Sequence, residues 1–551
     1  MRFILPLLVI FFISFSTCNQ HPVADRIYFN AKIWTGDSTN PEANAIVVKD
    51  SMILYVGNDY QSYAGSKTNL TDLHGKMLVP GFIDNHVHFL YGGYTLANIN
   101  LRNVKSKDAF ISLFHHYADS AKNNSWIRGG NWDHEAWGGE LPRATWIDSI
   151  SGDHPVFLSR YDGHMGLANS LALKMAGITK NTSSPSGGEI VKDPKTGEPT
   201  GILRDKATSL VFRVITNQTE SELDVSLSRA ASHALSHGFT QVHDMGSHGG
   251  WIDLATYRRA EAAGKLPIRI YSFVAISTWE KLDSFIRVNG WGNNLLRWGG
   301  LKGFVDGSLG STTAWFYQPY LDAPNSTGLQ VTDTNLLRKW ILSADSVGLH
   351  IACHAIGDRA NDWILNVYEE AENLHPGKDH RFRVEHAQHL TEGAIDRFVK
   401  LQVVPSMQPF HAIDDGKWAA KRLDTPRLKR TYMFKSLLES KANLTFGSDW
   451  PVAPLDPIAG IYAAVTRRTL DDKNPGGWFP EQKITVEQAL RCYTVNNAWA
   501  GFQEMKTGKL KTGMLADFTV LSEDLFSIPP EKIRETKILL TVVNGKEAFK
   551  R

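Results

Sequence analysis

The strongest constraint on the fold of this 551-residue chain is a repeating alternation along its central part. Short apolar, β-branched runs recur at Phe82 to His86, Thr240 to His243, Ile268 to Phe273, Leu301 to Val305, Leu349 to Cys353, Phe382 to Glu385, Val403 to Pro405 and Leu444 to Phe446, with helical patterns between them. Strands alternating with helices imply parallel strands joined by crossover helices. Eight of them suit a closed barrel, so an α/β chain with a TIM-like (β/α)8 barrel over residues 81–504 is expected. One gap is too long for a crossover. About 150 residues separate the first run from the second, and a structureless loop of that size is improbable in a compact domain. A large insertion after strand 1, over residues 91–235, is therefore expected near the barrel mouth. Its Trp126, Trp132, Trp137 and Trp146 could line a substrate pocket or simply form the insert's own core.

Both chain ends carry further strand signals. Apolar runs at Ile27 to Trp34 and Ala45 to Val56 read as hairpins, the second interrupted by Asp50-Ser51. Near the other end, Asp517 to Leu521 and Ile538 to Val543 are strand-like, and Asn544-Gly545 is a strong hairpin signal. A small β-sandwich assembled from residues 22–80 and 505–551 is expected. Residues 1–18 read as an export signal: one positive charge at Arg2, an apolar stretch from Phe3 to Phe15, then Ser16-Thr17-Cys18. Cys18 resembles the lipid-modified cysteine of bacterial lipoproteins, although Phe15 and Thr17 depart from the usual residues, and a simple cleaved signal is the rival reading. A periplasmic or outer-surface location follows from either. With 59 basic against 57 acidic residues the net charge is only +2, which argues against a nucleic-acid binder.

The sharpest local feature is Pro80-Gly81-Phe82-Ile83-Asp84-Asn85-His86-Val87-His88. Residues i and i+2 of a strand face the same way, so His86 and His88 put two imidazoles on one side at the strand's C-terminal end. Alone, that spacing is more often coincidence than a metal site. The set further along changes the odds: Lys302, His354, His386 and Asp449 each lie in or just past a predicted strand. In a (β/α)8 barrel those strand ends share one face, where catalysis takes place. Imidazoles with a carboxylate suit zinc or another borderline divalent metal better than calcium or magnesium. Asp162 and His164 in the insert, and His389 three residues past His386, are candidates for touching substrate, with an ordinary turn or an exposed position as the plain alternative.

With these residues in place the chain resembles the amidohydrolase superfamily, in the branch of YtcJ-like metal-dependent hydrolases that includes N-substituted formamide deformylases. The resemblance rests on VPGFIDNHVHF (Val79 to Phe89), LKGFVDGSLGSTTAW (Leu301 to Trp315), CHAIGDRAND (Cys353 to Asp362), RVEHAQ (Arg383 to Gln388), FGSDWPV (Phe446 to Val452) and GKLKTGMLADFTVL (Gly508 to Leu521). It implies that His86, His88 and Asp449 hold a first metal, that His354 and His386 hold a second, and that Lys302, carboxylated by carbon dioxide, bridges two zinc ions. The rival reading of Lys302 is a lysine paired with an acid such as Asp306. The implied reaction is hydrolysis of a non-peptide, amide-like C–N bond, with Asp449 as general base and then general acid.

Other chemistries stay open at this level. Ester or lactone hydrolysis can use the same ligand order. A deaminase on this barrel needs a Glu beside the fifth-strand histidine, whereas His354 is followed by Ala355-Ile356-Gly357-Asp358. A catalytically inactive binding relative would have lost ligands, and all six are present. The implied partner is a small amide-like molecule, with a membrane only through the lipid anchor and a homo-oligomer left open.

Overall fold

The computed structural model describes residues 22–121, 125–215, 218–247 and 249–551. The segment expected to be an export signal, with Cys18, lies outside the described residues. Eight strands form one sheet: β1 (Phe82–Val87), β2 (Phe239–Asp244), β3 (Arg269–Ala275), β4 (Leu296–Phe304), β5 (His350–Ala355), β6 (Arg383–His386), β7 (Val404–Met407) and β8 (Thr445–Phe446). They follow one another in chain order and every neighbouring pair is parallel. The two edges meet just beyond β8, where Val87 bridges Trp450, Asp449 N–H donates to the His86 carbonyl (2.7 Å) and His88 N–H to the Trp450 carbonyl (2.8 Å). A nearly closed eight-stranded parallel barrel results. The approach of the two edges needs glycine: a Cβ at Gly447 would lie 2.6 Å from the His86 backbone nitrogen.

Outward side chains of the strands, among them Phe82, Val242, Ile270, Leu301, Ile351, Val384 and Phe446, share one core with the surrounding helices. Helices Glu220–Ser236 and Asp358–Leu374 bury Leu227, Ala230, Ile364 and Tyr368 in that core. Burial on both faces explains why the strands read as continuous apolar runs. The fourth strand begins at Leu296, five residues before the apolar run that announced it. Its first turnlike half, Arg297-Trp298-Gly299-Gly300, is drawn into the sheet by pairing with β3, where Tyr271 lies opposite Arg297 and Phe273 opposite Gly300.

Three further sheets flank the barrel. A six-stranded mixed sheet, in the order Gly188–Lys192, Pro199–Asp205, Met165–Ala168, Val156–Arg160, Ile127–Trp132, Ile99–Asn100, falls between β1 and β2 in the chain. Trp132 and Trp146 are buried in its core, Trp137 packs against them and Trp126 against a second cluster, so these rings fill the insert rather than a substrate pocket. At the barrel's opposite end lie a four-stranded and a six-stranded sheet, which share a core through Tyr28, Ile46, Leu78, Phe518 and Val542. Strands Ile538–Val543 and Lys546–Lys550 pair across Asn544-Gly545, both at positive φ (52° and 71°), the twist a two-residue hairpin requires. Among the described residues no helix is long and apolar enough to cross a membrane.

Candidate metal centre and active site

The C-terminal strand ends converge on a cavity of about 560 Å³, lined by His88, Lys302, His354, His386 and Asp449, with the His86 ring buried beneath. One ligand atom from each of His86, His386 and Asp449 lies within 4.8 Å of the others. Asp449 Oδ1 sits 3.3 Å from His86 Nε2 and 3.4 Å from His88 Nε2. The His354 and His386 rings are 4.5 Å apart, and those of His86 and His386 5.0 Å. Thus the six residues singled out in the sequence are brought together around one space.

The rings are held from behind. His86 Nδ1 meets Glu385 Oε2 at 2.5 Å, His88 Nδ1 the Gly246 carbonyl at 2.8 Å, and His386 Nδ1 the Gln408 Oε1 at 2.8 Å. His354 uses Nε2 instead, at 3.0 Å from the Gly307 carbonyl. Anchoring one imidazole nitrogen so that the other faces a common point is what a metal ligand requires. Burial pushes His354 and His386 well below the ordinary histidine range, so both rings are neutral and carry the lone pair a metal binds. Burial would raise the Asp449 carboxyl, but the adjacent His86 and His88 rings hold it well below the usual carboxylate range. Two of these residues stand on strained backbone, His386 at φ 76° and Asp449 at φ 60°. Non-glycine residues held there cost about 1–3 kcal/mol each and concentrate at functional sites.

Lys302, on β4, is buried with Nζ 3.4 Å from His86 Nε2. It forms no salt bridge among the described residues. Asp306, its expected rival partner, is committed elsewhere: its two oxygens accept backbone N–H groups of Trp315, Ile356 and Gly357 at 2.8–3.0 Å. Burial lowers the Lys302 amine to about 8.

The insert supplies the facing wall. His164 lines the cavity 5.0 Å from the His354 ring, its Nδ1 held 2.6 Å from Asp205 Oδ1. Asp205 itself has φ 45° and a buried second oxygen without a partner. Asp162 also lines the cavity, but its carboxylate is occupied by Arg160 (2.6 Å), Ser308 (2.6 Å) and Ser311 (3.1 Å), which makes it a clamp between insert and barrel. His389 does not line the cavity. Its ring is buried against Phe316, with Nδ1 2.8 Å from Thr431 Oγ1, because the chain turns away from the mouth after His386 and Ala387.

Sequence reasoning missed Glu385 and His411. Glu385 accepts from His86, from Ser406 Oγ (2.6 Å) and from Arg383 Nε (2.7 Å), all inside the barrel. The signal was available: Arg383 and Glu385 alternate within a predicted barrel strand, and two charges on its inward face persist only as a pair. His411 lines the cavity from helix Pro409–Asp415, just past β7.

Comparisons with known proteins agree with this geometry. The amidohydrolase family profile matches residues 69–549. The chain is 41% identical to LONG AFTER FAR-RED 3 of Arabidopsis thaliana over 539 residues, covering 96% of this chain and 92% of the relative. It is 27% identical to an N-substituted formamide deformylase of Arthrobacter pascens, covering 96% and 98% respectively. An uncharacterized metal-dependent hydrolase of Pyrococcus horikoshii has a similar structure, with a TM-score of 0.73 at 29% identity over 92% of this chain and 99% of that one. A barrel whose strand ends gather histidines and a carboxylate, and a family profile that spans most of the sequence, lead to one assignment: the chain belongs to the amidohydrolase family and is a metal-dependent hydrolase of that superfamily.

Proposed function

We propose that this protein is an exported enzyme that hydrolyses a non-peptide, amide-like C–N bond of a small molecule, with Asp449 moving the proton. The observation that carries the reading is the convergence of His86, His88, Lys302, His354, His386 and Asp449 on one cavity. The donor set fits a metal. Asp449 Oδ1 is buried without a hydrogen-bond partner, a costly state for a carboxylate unless a cation faces it. His86, His88 and Asp449 would hold one ion and His354 and His386 a second. Lys302 fits a bridge between them once carboxylated, because an ammonium has no acceptor whereas a carbamate offers two oxygens. Nitrogen and oxygen donors of this kind favour zinc.

A divalent metal held there supplies Lewis acidity toward the carbonyl oxygen and makes water acidic enough to react near neutral pH. The Asp449 carboxylate accepts the proton of the attacking water and returns it to the leaving nitrogen. His164, steadied by Asp205, faces the substrate from the insert. Relatedness to an enzyme named as an N-substituted formamide deformylase supports a C–N bond as the target. The segment ending at Cys18 supports export with a lipid anchor.

Elemental mass spectrometry on the wild type and on Lys302→Ala, together with a screen of N-substituted formamides and other small amides, tests the reading. Expected are about two metals per chain, falling to one or none in the variant, and turnover that Asp449→Asn abolishes while keeping much of the metal. Wild-type protein that binds no metal after resupply would overturn it.

A further inference from the structure

His411 stands apart from the other imidazoles of the cavity. It follows β7 on the short helix Pro409–Asp415, at the same end of the barrel as the candidate ligands, and its ring lies nearly parallel (16°) to that of His386 with centroids 6.4 Å apart. The four histidines assigned to metal each have one nitrogen anchored by Glu385, Gly246, Gln408 or Gly307. His411 Nε2 is buried and has no hydrogen-bond partner among the described residues. Native proteins rarely leave a buried polar nitrogen unpaired unless a ligand completes it. Nothing in the surrounding protein does so, and the side chain lines the substrate cavity.

The separation from His386 and the absence of an anchoring partner make His411 a poor metal ligand. An imidazole carries at least one N–H in either protonation state, so the His411 ring has a donor to give. A preorganised N–H aimed at the point where charge develops stabilises an oxyanion.

We infer that His411 is a further catalytic residue, donating its Nε2–H as a hydrogen bond to the oxygen of the scissile carbonyl as that oxygen gains negative charge. The inference rests on the hydrolytic reading above. No bond is made or broken at the ring: the proton stays on Nε2, and the contact tightens as the carbonyl carbon becomes tetrahedral.

Two variants of the metal-loaded protein test this. His411→Phe keeps a ring beside His386 without the donor, and His411→Asn restores an N–H on a shorter side chain. Methylphosphonate, a tetrahedral oxyanion, is titrated calorimetrically into each at equal metal content, and kcat and KM are measured on the best amide of the screen. His411→Phe should bind methylphosphonate at least about tenfold more weakly and lose about 10²–10³ in kcat with KM little changed, and His411→Asn should recover part of both. Unchanged methylphosphonate affinity in His411→Phe would overturn the inference, as would loss of metal from that variant. If wild type hydrolyses no amide, the reaction reading fails on its own, and the methylphosphonate comparison still decides whether His411 binds an oxyanion.

Discussion

Glu385 shows how far the geometry of the site is set by a residue that does not line the cavity. Its carboxylate is fully buried between Arg383 and His86, and although burial favours the neutral acid, the Arg383 guanidinium and the His86 ring hold it well below the usual range. A fixed negative charge against Nδ1 keeps the proton there and sends the His86 lone pair toward Asp449 and Lys302. Arg383 is in turn spread over the barrel interior, donating to the Asn85 carbonyl (2.6 Å) and lying 3.2 Å from His243 Nδ1. Replacing Glu385 by Gln keeps the size of the side chain and removes the charge. Metal affinity, measured by chelator competition, should fall about 10–100-fold. Urea unfolding of the same variant separates this from a general loss of stability, since Arg383 would be left partly uncompensated. A folded Glu385→Gln protein with wild-type metal affinity would reduce Glu385 to a packing role.

At the level of elements, the barrel was legible because strands buried on both faces write themselves as apolar runs, and all eight expected runs overlap the observed strands. The six candidate ligands were legible for a related reason, each lying in or just past such a run. His411 was not, because the seventh run was closed at Pro405 while the strand continues to Met407, so the next residues did not read as a strand end. The His164–Asp205 pair was equally hidden: 41 residues separate its members, and the mixed sheet of the insert that joins them has no simple periodicity. Helix-to-loop connections outside the site depend on the same kind of distant pairing. Asp345, near the end of helix Thr334–Ser346, gathers His375 (2.7 Å), Lys378 (2.8 Å) and His380 (2.7 Å) from the loop that leads into β6. Burial opposes its charge, but His380, Lys378 and His375 together lower the carboxyl to about 2. A folded value below the unfolded one, about 3.9, means the stabilisation is complete above that pH and is lost as pH falls through about 2. The urea midpoint of wild type should therefore exceed that of Asp345→Asn at pH 5, and the gap should close toward pH 2. A gap independent of pH would show that the carboxylate charge is not what holds the loop.

Across the whole molecule, chemistry and stability sit at opposite ends of the barrel, as the fold favours. The candidate metal-binding residues occupy the C-terminal strand ends, while the start of β3 docks the sheet formed from the chain termini. There Arg269 is held by both oxygens of Asp517, by Asn544 Oδ1 and by the Asn294 carbonyl, and Asp517 also accepts the Asn544 N–H at 2.8 Å. Thr519 and Thr541 add hydrogen bonds to the carbonyls of Gly238 and Leu235, beside the start of β2. Arg269 and Asp517 are almost wholly buried, with side chains 1% and 3% exposed, so neither can recover its hydration if the other is removed. Breaking such a pair from one side costs about 3–5 kcal/mol because a buried charge is left behind. Asp517→Ala should lose stability of that order in urea unfolding. In the fraction that remains folded, metal content and the response to methylphosphonate should match wild type, because the contact lies at the end of the strands away from the cluster. Loss of metal at unchanged stability would mean instead that the terminal sheet sets the positions of the strand ends, and that the two faces of the barrel are mechanically coupled.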